Sequence, residues 1–121
     1  MIPLLQGYTR PVRARFGETA PAIVRLNNGR CVSGKLHVVS ITGGLLRLSR
    51  PVQQGSHVKM KFVTHAGSVW GIAEMLSPGG DNFQPFRFLA LRPDDHQTLQ
   101  AAIQSFVDPR DPLRIEKYRA W

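Results

Sequence analysis

Cysteine is nearly absent from this chain: Cys31 stands alone among 121 residues. An internal disulfide is therefore excluded, and a reducing, cytoplasmic setting is expected. Long apolar runs are missing too. No stretch approaches the roughly 20 residues needed to span a bilayer, so no transmembrane segment is expected. The opening Met1-Ile-Pro-Leu-Leu-Gln6 is apolar only briefly and carries no early Lys or Arg, unlike a signal peptide. Aromatic residues make up only 8% of the chain. They do not interleave along the strands as the stacking platforms of single-strand nucleic-acid binders do, which places nucleic acid low among the partners.

Catalytic groupings are also lacking. His37, His57, His65 and His96 do not fall at metal-ligand spacings, so no metal site is expected. Ser40 has no neighbouring base and no Gly-x-Ser-x-Gly context. No catalytic residues are assigned, and a non-enzymatic role is expected. Negative charge is scarce in one half. Residues 1–65 hold ten Lys/Arg and a single acidic residue, Glu18, whereas residues 66–121 hold six basic and seven acidic residues. The overall +8 thus belongs to the first half. A one-sided positive field suits an anionic partner, although it also serves simple solubility.

What is present is a series of short strands. Residues 1–20 show no clear periodicity and read as an arm bearing Arg10, Arg13 and Arg15. Ala22–Asn27 reads as a strand, with Asn28-Gly29 a strong hairpin signal. Val32, Gly34, Leu36 and Val38 alternate with polar residues along the return strand. A turn is expected at Thr42-Gly43-Gly44 and a third strand from Leu45 to Ser49. Val58, Met60 and Phe62 alternate with Lys59 and Lys61 in a fourth strand with one clean apolar face. Val69–Leu76 and Phe86–Leu91 supply two more. Leu99, Ala102, Ile103 and Phe106 then follow helical spacing. Asp94 and Gln97 resemble a capping box after Pro93. The reading is mainly β: a small antiparallel barrel over 21–107 with one C-terminal helix covering an opening or edge, then a basic and aromatic tail over 108–121.

Two segments carry binding chemistry. Arg10, Arg13 and Arg15 offer forked donors for phosphate and flat faces for bases. Val38-Val-Ser40-Ile-Thr42-Gly43-Gly44-Leu45 places hydroxyls and glycines between two strands. Such a turn can expose N–H groups as an anion-binding nest, or it can simply need glycine for its geometry.

Together these segments resemble the PilZ domain family over roughly residues 8–107. The family pattern is an Arg-x-x-x-Arg arm, a strand pair, then Asp/Asn-x-Ser-x-x-Gly-Gly followed by apolar residues. Ser40, Gly43 and Gly44 match the second motif, and Leu45, Leu46 and Leu48 continue it. Phe86-Arg87-Phe88 and the helix from about Asp94 look like the closing elements. The resemblance implies a small barrel with a C-terminal helix that acts as a regulatory, cytoplasmic signalling module. It also implies cyclic di-GMP as ligand, held by Arg10, Arg13, Arg15, Ser40, Thr42, Gly43 and Gly44. Two positions depart from the pattern. Val38 stands where Asp or Asn would be, and the arginines are spaced by three and two rather than four. These departures keep open a second reading, a degenerate domain that binds a protein partner and no nucleotide.

Overall fold

The computed structural model describes residues 12–106. Six antiparallel strands close into one barrel in the order β1-β2-β3-β6-β5-β4. They are β1 (Ala14–Arg25), β2 (Cys31–Val39), β3 (Gly43–Leu48), β4 (His57–Thr64), β5 (Gly67–Met75) and β6 (Phe83–Ala90). One helix, α1 (Pro93–Phe106), follows. Closure falls to the long β1, whose second half pairs with β2 on one side and β4 on the other, through Ala22↔Phe62 to Arg25↔Lys59. Period-two alternation fills the interior: Val24, Leu36, Leu46, Met60, Phe62, Val69 and Met75 are all buried.

The first strand begins at Ala14, well before the expected Ala22. Its periodicity was hidden because Gly17 and Glu18, both at positive φ (58° and 69°), break the pairing with β2 between Arg15 and Ala20. A bulge costs the strand its even alternation. The arm assigned to residues 1–20 is thus partly barrel wall, and Arg10 lies outside the described residues. Asn27-Asn28-Gly29 forms a three-residue loop rather than a two-residue turn. Leu26 N–H donates to the Arg30 carbonyl (2.8 Å), and Gly29 takes the left-handed position at φ 86°.

A second bulge lies between Leu36 and Val38 in β2. It reverses the expected facing: Val39 enters the core and Val38 is only half-buried. β6 begins at Phe83, earlier than expected, with Pro85 inside it. The Pro85 carbonyl accepts from Leu76 N–H (2.9 Å), so its missing donor faces the point where β5 has already ended. Gln84 is buried and ties the β3–β4 connection to β6. Its Oε1 accepts from Val52 N–H (2.9 Å), and its Nε2 donates to the Val52 and Leu76 carbonyls (2.6 and 2.9 Å).

The helix buries Leu99, Ala102 and Ile103 against the barrel, as their spacing implies. The Phe106 side chain and the tail over 108–121 lie outside the described residues. The capping box does not form. Pro93 is itself the first helical residue, which puts Asp94 inside the first turn rather than at the cap. Asp95 instead turns to the sheet, where its Oδ1 accepts from Trp70 N–H (2.9 Å). That bond covers β5 beyond Ile72, where pairing with β6 stops. No helix among the described residues is long and apolar enough to cross a membrane.

Candidate functional site

The bulge in β2, the β2–β3 turn and the middle of β6 meet in an open cleft of about 710 Å³. It is lined by Arg13, Val38, Thr42, Gly43, Gly44 and Arg87 among others, with Phe86 and Phe88, whose rings pack with the core, on either side of Arg87 in β6. Ser40 lines it as well. Arg13 and the Ser40–Gly44 segment are separated in sequence by a whole hairpin, and the barrel brings them to one place. No carboxylate is among its lining residues.

The glycines act differently from the expected nest. Neither Gly43 nor Gly44 is at positive φ; both open strand β3. Their small size matters through close approach. A Cβ at Gly43 would overlap the Phe86 carbonyl oxygen, and one at Gly44 would overlap the Val38 carbonyl oxygen. A Cβ at Gly44 would also lie 3.1 Å from the Phe86 ring. Only glycine lets β2, β3 and β6 converge so tightly behind the cleft.

Ser40 is buried and serves the turn. Its backbone N–H donates to the Gly43 carbonyl (2.7 Å), and its Oγ accepts from Thr42 N–H (3.2 Å). The Oγ also lies 3.0 Å from the Thr42 hydroxyl and 3.3 Å from the Gly43 carbonyl oxygen. A hydroxyl with these partners fixes the loop and has little left for a ligand. Thr42 is exposed, and its carbonyl accepts from Phe88 N–H (2.9 Å), pinning the turn to β6.

Arg15 does not line the cleft. It is exposed and stands opposite Val38 across the β1–β2 ladder, next to the cleft wall. Arg87 does line it and was missed among the candidate site residues. The signal was its place between Phe86 and Phe88, which in a strand turns the middle residue to the opposite face. Glu74, paired with Arg87 across β5 and β6, holds the guanidinium at 2.7–2.8 Å. Arg13 and Arg87 thus give the cleft two cations, one of them already oriented by a carboxylate. Among the described residues no group of three or more His, Cys, Asp or Glu side chains assembles as a metal site.

Comparison with solved structures identifies the architecture. The PilZ domain of YcgR from Escherichia coli, solved with c-di-GMP, matches with a TM-score of 0.65 at 20% identity. That match covers 81% of this chain and 90% of the other. The PilZ domain of CeSA from a cellulose-synthesising bacterium matches with a TM-score of 0.57 at 15% identity, covering 79% and 94%. The inhibitor of motility MotI/DgrA from Bacillus subtilis matches with a TM-score of 0.64 at 12% identity, covering 85% of this chain and 53% of that protein. Neither protein-family models nor curated proteins give a match to the sequence. The chain has the PilZ fold, in a divergent sequence.

Proposed function

We propose that this chain is a non-catalytic regulatory module that binds cyclic di-GMP in the cleft between β2, β3 and β6. The observation that carries the reading is the convergence of Arg13, Thr42 and Arg87 on one cleft whose lining holds no carboxylate, with Glu74, which is not among the lining residues, orienting Arg87. A nucleotide phosphate needs charged donors, and each charge-assisted hydrogen bond adds about 1.5–3 kcal/mol. Guanidinium stacking on a base adds roughly 1–3 kcal/mol more. Arg13 supplies one such fork and Arg87 a second, and Arg15 adds positive charge beside the cleft wall. The E. coli YcgR domain of the same fold, solved with c-di-GMP, supports this choice of ligand.

A second reading has specific observations behind it. Val38 presents an apolar side chain to the cleft, Ser40 is engaged by its own loop, and Arg87 is engaged by Glu74. Those three features favour a domain that has lost the nucleotide and acts through a protein partner. Calorimetric titration with cyclic di-GMP separates the two. Under the first reading, Arg10→Ala, Arg13→Ala and Arg87→Ala each weaken binding by about tenfold or more, while Arg30→Ala in the hairpin loop does not. Val38→Asp restores an acceptor and tightens binding. Absence of heat with both the wild type and Val38→Asp, at intact fold, hands the site to the second reading.

A further inference from the structure

The outer face of β1, β4 and β5 carries a second groove, of about 610 Å³, that shares no residue with the cleft. Strand alternation turns Ile23 and Arg25, Lys59 and Lys61, and Trp70 and Ile72 outward. The register aligns Ile23, Lys61 and Trp70 in one row and Arg25, Lys59 and Ile72 in the next. Three large apolar side chains are left in solvent: Trp70 is 48% exposed, Ile72 43% and Ile23 41%. Apolar side chains scattered singly on a surface are unremarkable, but a contiguous group rimmed by charge marks an interaction site.

Charge selects the occupant. The ion pairs among the described residues join Glu18 to Arg47, Glu74 to Arg87 and Asp95 to Arg92. Arg25, Lys59 and Lys61 take part in none of them. The one carboxylate lining the groove, Asp95, is buried and already accepts from Trp70 N–H and Arg92 Nε. The Lys61 ammonium lies 4.9 Å from the Trp70 ring centroid, so the cation and the ring form one ordered surface.

We propose that this face docks an acidic segment of a partner protein, anchored by apolar side chains between Ile23, Trp70 and Ile72, with its carboxylates on Arg25, Lys59 and Lys61. A symmetric contact with a second copy would set these three cations against themselves. Single-stranded nucleic acid would find one aromatic ring for stacking, beside aliphatic isoleucines that suit apolar side chains better. In the groove β1 and β4 are paired on both sides and Asp95 covers β5, so recognition runs through side chains rather than strand addition.

The test uses a labelled synthetic peptide alternating Glu with Leu and Phe, the same peptide with Lys for Glu, and a short oligo-dT. Binding is read by anisotropy on the full chain and by Trp70 fluorescence in a Trp121→Phe background. The acidic peptide binds, the basic one does not, and added salt weakens binding. Trp70→Ala reduces affinity by roughly thirtyfold, as for a central aromatic anchor. Lys59→Glu with Lys61→Glu reduces it by about tenfold or more, with the thermal melt unchanged because all three side chains point outward. Three results overturn the proposal: no acidic-peptide binding at millimolar concentration, binding indifferent to these variants, or tighter binding of oligo-dT. Self-association in sedimentation that Trp70→Ala abolishes would also overturn it, assigning the face to a second copy.

Discussion

The two sides of the barrel are built to different standards of regularity. β4 and β5 pair through eight consecutive residues, His57↔Glu74 to Thr64↔Gly67, without a break. The β1–β2–β3 side carries two bulges, a left-handed Gly17-Glu18 step and three glycines, Gly34, Gly43 and Gly44, whose Cβ atoms would strike backbone. The cleft lies on the irregular side. Regular pairing holds side chains in alternation and gives a core, whereas a bulge re-aims a residue and opens space. In this chain the bulge that sends Val39 inward is the same one that leaves Val38 on the cleft wall. Both sides feed the core, and the irregular side supplies the shape of the site as well.

Substitutions sharpen that division. The largest loss is expected on the regular side, where Phe62 is buried at the centre of β4. Phe62→Ala should cost about 3–5 kcal/mol in urea unfolding. Leu99 is fully buried on the inner face of α1, and Leu99→Ala should cost about 2–5 kcal/mol by the same measurement. A loss below about 1 kcal/mol there would mean that the helix is not part of the core. Gly44→Ala forces β3 away from β2 and should cost about 1–3 kcal/mol, with a larger relative effect on ligand affinity than on the melting temperature. Equal proportional loss of both would break the distinction between scaffold and site. Ser40→Ala removes the hydroxyl that holds the turn and should cost only about 1 kcal/mol, read as a small fall in melting temperature.

The same division decides what could be read from sequence. Val58, Met60 and Phe62 alternate without interruption, so β4 and its buried face were legible from residue type alone. The helix face at Leu99, Ala102 and Ile103 was legible for the same reason. β1 was not, because Gly17 and Glu18 shift the alternation and a window crossing them averages to no period. Val38 looked inward for an equivalent reason. The glycine pair is needed for close approach rather than for the conformational freedom expected of it, which belongs instead to Gly17, Gly29, Gly55 and Gly67. Crowding by a strand distant in sequence leaves no local mark. Arg87 was hidden because a lone arginine between two phenylalanines reads as an ordinary outward position. Only the pairing of β3 with β6, Gly43↔Arg87, brings it to the cleft.

The central claim is that the irregular side forms one anion-binding cleft. The most direct measurement is a nitrogen-15 chemical-shift titration of the full chain with cyclic di-GMP. The account predicts that amide shifts concentrate at Arg13, Thr42–Leu45 and Arg87, saturate together, and spare Lys59–Lys61 and Trp70. Shifts confined to the outer face of β4 and β5, or no shifts at saturating nucleotide, would contradict it.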